Sequence, residues 1–311
     1  MQIKNTIIVP IIRADFIPKM LKSLYQYTPP NFRVIVIDQT KDDRAQRECQ
    51  GMAHLWIKSY RNLGFSKAMN TGIVLSTTPY ITLANDDIEF INGSWWQGIE
   101  DTFKMDERIL AVNPMSPKEG AFGYGLTQEN RGTWKPRSGF FLDPNDPEGV
   151  VPDFNGEPMT LELAKENYNF LLDNHPVWAK DTLCDGLAMW CTVFKKEGLE
   201  EVGLLDERFY PGSGEDYDMM GRIYSCAWPQ DREDCDINYH KRAVGTTKSW
   251  VWHHWGKSKE KVGTLDLEMS RSNWNNLGEL WPGGFDQWGH LIDGGTKKPY
   301  RRDTKISIDD L

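Results

Sequence analysis

The first third of the chain alternates short apolar runs with stretches of helical periodicity. Continuous apolar runs are typical of strands covered on both faces, and such runs occur at 6–12, 32–38, 54–60, 79–84 and 109–112. Amphipathic spacing predicts helices between them, at 18–25, 41–50, 65–75 and 94–103. Strands separated by helices of this length pair in parallel through right-handed crossovers. The sequence therefore predicts an α/β fold with a doubly wound, mostly parallel, Rossmann-like sheet.

After residue 113 the periodicity fades into glycine, proline and aromatic residues. We interpret 114–183 as loops and an insertion over the site, with one helix inside it at 160–172. Regular spacing returns further on and predicts a strand at 186–194, a short helix at 195–202, a helix from 214, a strand at 244–254 and a last helix at 265–274. The second half is therefore expected to be loop-rich and aromatic.

Composition and charge exclude several classes of protein. The chain has 36 basic and 45 acidic residues, a net charge of −9, which disfavours a protein that mainly grips nucleic-acid backbones. We find no apolar stretch long enough for a membrane span and no signal peptide, so we expect a cytoplasmic protein. No cysteine pair has Cys-x-x-Cys spacing, which predicts free thiols at Cys49, Cys184, Cys191, Cys226 and Cys235.

Several common catalytic motifs are missing from the sequence. It contains no Gly-x-x-x-x-Gly-Lys-Ser/Thr loop, no Gly-x-Gly-x-x-Gly after the first strand, no Gly-x-Ser-x-Gly and no His-Glu-x-x-His. The sequence therefore gives no motif support for a kinase-type phosphate loop, for dinucleotide-dependent redox chemistry or for serine hydrolysis.

Two adjacent carboxylates, Asp86 and Asp87, follow the predicted strand 79–84. Paired oxygen donors at a strand end suit a hard divalent cation such as Mg²⁺ or Mn²⁺, with a phosphate completing its coordination shell. The alternative is a turn in which an aspartate side chain caps the backbone. The pair alone leaves both interpretations open.

Two further pairs carry candidate chemistry. Glu215 and Asp216 follow the flexible segment 211–214, and one of them could act as a general base, although acidic residues are also favoured in a first helical turn by the helix dipole. His253 and His254 lie between two tryptophans in a predicted strand. Adjacent strand residues point to opposite faces, so one imidazole at most is expected to reach a metal, and a purely structural role is the alternative.

In their order along the chain, these segments resemble glycosyltransferases of the GT-A type, family 2 in particular. The similarity lies in a set of short motifs: the opening strand 7–10, the second strand 36–38, the Asn-x-Gly-x-x-x-Ala-x-Asn-x-Gly element of 61–72, the acidic segment 83–88 that resembles the DXD metal site, and the segments 202–209 and 214–218. Asn85 stands at the first position of the DXD-like segment.

The resemblance implies a role for each matching residue. Asp87 would bind Mn²⁺ or Mg²⁺ with His253 or His254 as second ligand, and Asp216, with Glu215 beside it, would act in catalysis. Asp38 would contact the nucleobase and Asp86 the ribose. The other residues implied to bind the nucleotide-sugar are Pro10, Arg61, Asn62, Asn70 and Asp185.

We therefore expect a metal-dependent glycosyltransferase that moves a sugar from a nucleotide-sugar, with a UDP-sugar as the first choice, to an acceptor hydroxyl with inversion. The acceptor stays open between a glycan, a small molecule, a protein and a modified nucleic acid. One continuous domain would comprise a nucleotide-sugar-binding half, 1–113, an acceptor-binding and catalytic half, 114–256, and a C-terminal helix and tail, 257–311. The alternatives are a non-catalytic nucleotide-sugar or carbohydrate-binding module on the same fold and a nucleotidyltransferase.

Overall fold

The computed structural model describes residues 2–117, 160–173, 183–185, 189–226 and 243–254, together with four positions between 272 and 277. Most of the predicted aromatic insertion and most of the predicted helix 265–274 lie outside these residues.

The described residues form nine strands and eight helices. The strands are β1 (Asn5–Ile11), β2 (Phe32–Asp38), β3 (Leu55–Lys58), β4 (Tyr80–Ala84), β5 (Ile88–Phe90), β6 (Ala111–Met115), β7 (Leu183–Asp185), β8 (Cys191–Lys195) and β9 (Ala243–His253). The helices are α1 (Ile17–Tyr27), α2 (Arg44–Glu48), α3 (Gly64–Val74), α4 (Trp95–Met105), α5 (Leu161–Glu166), α6 (Tyr168–Asp173), α7 (Lys196–Val202) and α8 (Glu215–Cys226). None of these helices has the length and apolar character needed to cross a bilayer.

The strands form a mixed sheet in the order β3-β2-β1-β4-β8-β6-β9-β5, and β7 also pairs with β9. Strands β3, β2, β1 and β4 are parallel to one another, and β6 is parallel to β9. The α/β, mostly parallel sheet is therefore as predicted. The predicted parallel pairing of successive strands does not hold between β4 and β6, because β8 lies antiparallel between them.

Apolar side chains cover both faces of the sheet, as the continuous runs predicted. In β1, Ile7 and Val9 pack into the core layer that contains α1 and α4, whereas Ile8 packs into the layer that contains α3. All three side chains are fully buried, and burying each one stabilises the fold by about 1.5–3 kcal/mol. Gly72 of α3 lies so close to Ile8 that an added Cβ would overlap its side chain.

The strand directions decide where polar residues meet. Because β8 is antiparallel to both β4 and β6, strand β6 runs parallel to β4, and so does β9. The carboxyl ends of β1, β2, β4 and β9 therefore lie along one edge of the sheet, where ligands bind in open α/β folds. Asp38, Asp87 and His253 stand at or just after these strand ends.

Candidate functional site

Asp87 and His253 come together in the structure. Strand β5 pairs antiparallel with β9 and sets Ile88 opposite His253. The Oδ1 atom of Asp87 then lies 3.3 Å from Nε2 of His253, and the two side chains are only 1% and 6% exposed. The amide of His254 donates to the carbonyl of Asp87 at 2.9 Å, which fixes the backbone of the pair. A buried carboxylate and a buried imidazole therefore face each other at the ligand-binding edge.

This pair fits a divalent cation by its chemistry and its spacing. Carboxylate oxygen and imidazole nitrogen bind metals at about 2.0–2.2 Å. Two ligands that are neighbours in one coordination shell then lie about 3 Å apart, close to the separation of the two side chains. Among the described residues no group of three or more His, Cys, Asp or Glu side chains could hold a metal. The described residues would therefore supply two ligands and leave the other positions to groups outside them, such as water and phosphate oxygens.

His254 is engaged elsewhere. Its Nε2 atom lies 2.9 Å from Oε1 of Glu89 in β5, and the other carboxylate oxygen of Glu89 accepts from Nζ of Lys165 in α5 at 3.2 Å. The hydrogen bond with His254, together with Lys165, holds the pKa of Glu89 below its ordinary value against the opposing effect of burial. Of the two histidines, His253 faces Asp87 and His254 joins β9 to α5.

Asp86 is also buried, at 4% exposure, and its Oδ2 atom has no hydrogen-bond partner among the described residues. Burial, reinforced by the neighbouring charge of Asp87, raises the pKa of Asp86 to about 8. The charge of Arg13, after β1, opposes this shift. Asp86 therefore holds a proton near neutral pH when no cation is bound.

The raised pKa predicts a pH-dependent effect of the Asp86→Asn substitution on stability. In the chelator-treated protein the folded state keeps the proton on Asp86 between the ordinary pKa of 3.8 and about 8, whereas the unfolded chain releases it. The free energy of unfolding therefore falls as pH rises through this window, by up to about 1.4 kcal/mol per pH unit. Asn carries no proton to lose, so the stability of the variant relative to the parent should increase from about pH 5 to about pH 8. Chemical denaturation at both pH values measures this, and a constant difference would contradict it.

Asp38 is held by the chain itself. It is fully buried at the end of β2. Its Oδ1 accepts from the amide of Thr40 at 2.9 Å and from the hydroxyl of Thr40 at 2.7 Å, and its Oδ2 accepts from Nε1 of Trp56 at 3.0 Å and from Nζ of Lys58 at 3.2 Å. Asp38 thereby joins β2 to β3. A nucleobase would have to replace one of these donors to reach the carboxylate, so the predicted base contact stays a prediction.

Asn70 is likewise fully buried, inside α3. Its amide nitrogen donates to the carbonyl of Leu205 at 2.8 Å and to Oε1 of Glu207 at 3.2 Å, and its oxygen accepts from the amide of Leu205 at 2.9 Å. In this conformation Asn70 offers no surface to a nucleotide. It holds the segment that leads toward α8.

The remaining residues predicted to bind the nucleotide-sugar are Arg61, Asn62, Pro10 and Asp185. Arg61 and Asn62 are exposed in the turn between β3 and α3, where Asn62 Oδ1 accepts from the amide of Gly64 at 2.9 Å. Pro10 is half-buried in β1. The backbone of Asp185 pairs with β9, and its side chain lies outside what the structure describes.

The segment before α8 rests on the start of α3. The carbonyl of Pro211 accepts from the amide of Phe65 at 2.7 Å. Gly64 has a φ of +77°, and an added Cβ there would lie 2.8 Å from Cδ2 of Tyr210. Since α3 follows the carboxyl end of β3, this contact brings the start of α8 to the same edge of the sheet as Asp87.

Glu215 and Asp216 occupy the first turn of α8, as predicted. Glu215 is 8% exposed, whereas Asp216 is half-buried and its Oδ1 accepts from the amide of Tyr217 at 2.9 Å. Asp216 is therefore the more accessible of the two carboxylates.

One neighbour of the Asp87–His253 pair was not predicted as a site residue. The indole of Trp190 stacks on the imidazole of His253, with ring centroids 5.1 Å apart and an angle of 11° between the planes. The sequence indicated Trp190 only as part of a strand from 186 to 194. The strand begins at Cys191 instead, so Trp190 stands just before β8. In the sequence, a bulky aromatic residue just before an apolar run has the same pattern as one inside the strand.

The sheet order, together with a carboxylate and an imidazole that meet at its ligand-binding edge, agrees with the GT-A type fold that the sequence predicts. The model of the family described as "Glycosyl transferase family 2" matches residues 6–158, which confirms the resemblance to that family. No curated protein matches the sequence.

The solved structure of GalNAc-T7 supports the same fold. A crystal structure of GalNAc-T7 with UDP, GalNAc and Mn²⁺ superposes with a TM-score of 0.56 at 12% identity and covers 92% of this chain. The mannosyltransferase PcManGT from Pyrobaculum calidifontis, in complex with GDP-Man and Mn²⁺, gives 0.49 at 16% identity over 88% of this chain, and S. aureus TarS 1–349 gives 0.46 at 14% over 90%. The matches cover 49%, 61% and 71% of those three chains. The chain thus spans about half of GalNAc-T7, and at these identities the likeness concerns the fold alone.

Proposed function

We propose that the protein transfers a sugar from a nucleotide-sugar donor to an acceptor hydroxyl in a metal-dependent reaction. The observation that carries this proposal is the 3.3 Å approach of Asp87 and His253 at the ligand-binding edge of a GT-A fold. The family match over residues 6–158 supports it. The presence of UDP, GalNAc and Mn²⁺ in the GalNAc-T7 structure agrees with this choice of donor and cation.

Asp87 and His253 are the residues proposed to hold the cation, Mn²⁺ or Mg²⁺. A divalent ion supplies positive charge that neutralises the nucleoside diphosphate as it leaves the sugar. Because Mg²⁺ prefers all-oxygen shells and His253 offers nitrogen, we expect Mn²⁺ to bind more tightly.

The donor is proposed to be a UDP-sugar bound along the carboxyl ends of β1, β2 and β4. Asp86 would accept a hydrogen bond from the ribose, since its Oδ2 atom is buried and has no partner in the described part of the chain. Asp38 and Asn70 would act by shaping the pocket, because their polar atoms hold the β2–β3 connection and the 205–207 segment. The further residues assigned to this side are Pro10, Arg61, Asn62 and Asp185.

Asp216 is proposed as the general base, with Glu215 buried beside it. The first turn of a helix stabilises negative charge, which favours the ionised carboxylate that a base requires. The half-buried Asp216 would take the proton of the acceptor hydroxyl while that oxygen attacks the anomeric carbon and the nucleoside diphosphate leaves from the opposite side. A single displacement of this kind inverts the anomeric centre.

A panel of nucleotide-sugars tests the proposal. At a concentration 100 times its Kd, a ligand stabilises the folded state by about 2.7 kcal/mol. We expect one nucleotide-sugar to raise the melting temperature in the presence of Mn²⁺ and not in the presence of a chelator. We also expect the same compound to release nucleoside diphosphate at an enzymatic rate.

Each alternative predicts a different result in the same assays. Stabilisation without release of nucleoside diphosphate would indicate a binding module. Formation of pyrophosphate from a nucleoside triphosphate and a sugar phosphate would indicate nucleotidyl transfer. If no compound in the panel stabilises the protein with Mn²⁺, the proposed function is wrong.

A further inference from the structure

Trp190 lies between the acidic segment and the imidazole of the proposed metal site. Its carbonyl accepts from the amide of Asn85 at 2.8 Å, immediately before Asp86 and Asp87. Its indole stacks on His253 at a centroid distance of 5.1 Å. Trp190 therefore contacts the site from two sides, through its backbone and through its ring.

The indole N–H of Trp190 lacks an acceptor. Trp190 is only 3% exposed, and its Nε1 atom has no hydrogen-bond partner among the described residues. A buried donor left without an acceptor lowers stability, because it has lost its hydrogen bond to water and gained none in return. Since an indole can only donate, any group that relieves this cost must present an acceptor atom.

The position of Trp190 favours a negatively charged oxygen as that acceptor. Trp190 stacks on His253, whose Nε2 atom lies 3.3 Å from Oδ1 of Asp87. Asp87 and His253 are together proposed to bind a cation. Such a cation would bring anionic oxygens to the site that Trp190 contacts through its ring. A hydrogen bond to a charged oxygen is about twice as strong as one to a neutral hydroxyl, so a phosphate oxygen relieves the cost more fully than a sugar hydroxyl does.

We propose that Nε1 of Trp190 donates a hydrogen bond to a diphosphate oxygen of the nucleotide donor. The inference rests on the proposed function, since it needs a diphosphate on the cation. Trp190 would then fix the plane of the His253 ring through stacking and bind the leaving group through its N–H.

The Trp190→Phe variant removes the N–H and keeps an aromatic ring that can stack on His253. Trp96→Phe is a matched control. Trp96 in α4 is also 3% exposed, and its Nε1 also has no partner among the described residues. Its ring packs edge-on against Tyr80 instead, at 5.6 Å. The two variants therefore lose the same atom from a buried site, one beside His253 and one in the core.

Calorimetric titration with UDP, GDP and inorganic diphosphate in Mn²⁺ measures the effect. For each probe that the parent protein binds, we expect the Kd of Trp190→Phe to rise about 10- to 100-fold, as for loss of a hydrogen bond to a charged group. The Kd of Trp96→Phe should stay within about twofold of the parent value. Melting temperatures of both variants without ligand show whether each is folded.

Indole ¹H–¹⁵N resonances give a readout that does not depend on affinity. The Trp190 signal is the one missing from the spectrum of Trp190→Phe. We expect it to shift downfield when inorganic diphosphate is added with Mg²⁺, and to broaden when paramagnetic Mn²⁺ replaces Mg²⁺. The Trp96 signal, assigned in the same way, should shift less.

The outcomes separate this inference from the proposed function. If the parent binds the probes and Trp190→Phe binds them equally well, the inference is wrong and the proposed function stands. If the variant loses affinity for the nucleotide-sugar but not for the nucleoside diphosphate, the N–H contacts the sugar and the inference is again wrong. If the parent binds no probe with either metal, both the proposed function and the inference fail.

Discussion

Replacement of Asp216 by Asn is expected to abolish sugar transfer and to leave donor binding nearly unchanged. Asn has almost the same shape but cannot take the acceptor proton, and loss of a general base costs about 100- to 10,000-fold in rate. Asp216 lies half-buried in the first turn of α8, so the fold should tolerate the change. The measurements are the transfer rate at saturating donor and the Kd of the nucleoside diphosphate with Mn²⁺.

Glu200→Gln is a suitable control, because it also removes one negative charge but from a side chain of α7 that is 67% exposed. It should keep the parent rate. Transfer at the parent rate by the Asp216→Asn variant would exclude Asp216 as the base. A large loss of donor affinity in that variant would place Asp216 in the donor pocket instead.

Replacement of Asp87 or His253 by Ala is expected to abolish metal-dependent donor binding. Substitution of a residue that hydrogen-bonds to a metal ligand costs about 10- to 100-fold in metal affinity. Removal of either proposed ligand itself should therefore cost more than about 100-fold. Titration of Mn²⁺ into each variant, followed by nucleoside diphosphate, measures both steps.

The adjacent histidine provides the control. His254→Gln keeps a donor for Glu89 and leaves the 3.3 Å pair of Asp87 and His253 intact. We expect it to bind Mn²⁺ with a Kd within about tenfold of the parent value. A larger loss from His254→Gln than from His253→Ala would reverse the assignment of the two imidazoles. Equal donor affinity with and without Mn²⁺ in the parent would remove the metal from the proposal.

Much of the fold could be predicted because burial leaves a local signal. The apolar run of β1 predicts a strand with both faces covered, and the structure buries Ile7, Ile8 and Val9 completely. Strand partners leave no such signal, and an apolar run such as β8 has the same pattern whichever way it pairs. Strand β5 has three residues, too few for any periodicity. The helix predicted at 160–172 is two helices, α5 and α6, that meet at Asn167.

The site could be predicted in part, for related reasons. Alternation along β9 predicts that one histidine at most reaches a metal, but which of the two faces Asp87 depends on the pairing of β9 with β5. The sequence also does not show that Asp38 and Asn70 are satisfied by internal partners. Trp56 and Lys58 reach Asp38 through the pairing of β3 with β2, and a partner of Asn70 lies 137 residues away. Trp190 was missed because stacking against His253 is a tertiary contact.

The position of β8 has a consequence for how the protein can be divided. The segment that matches the family, 6–158, contains β4 and β6 but ends before β8, which lies between them. A fragment cut at residue 158 would leave both strands with open edges, and it would hold Asp87 without His253. The cooperative unit is therefore larger than the family signature, and Mn²⁺ binding is expected to report whether the distal part of the chain has assembled.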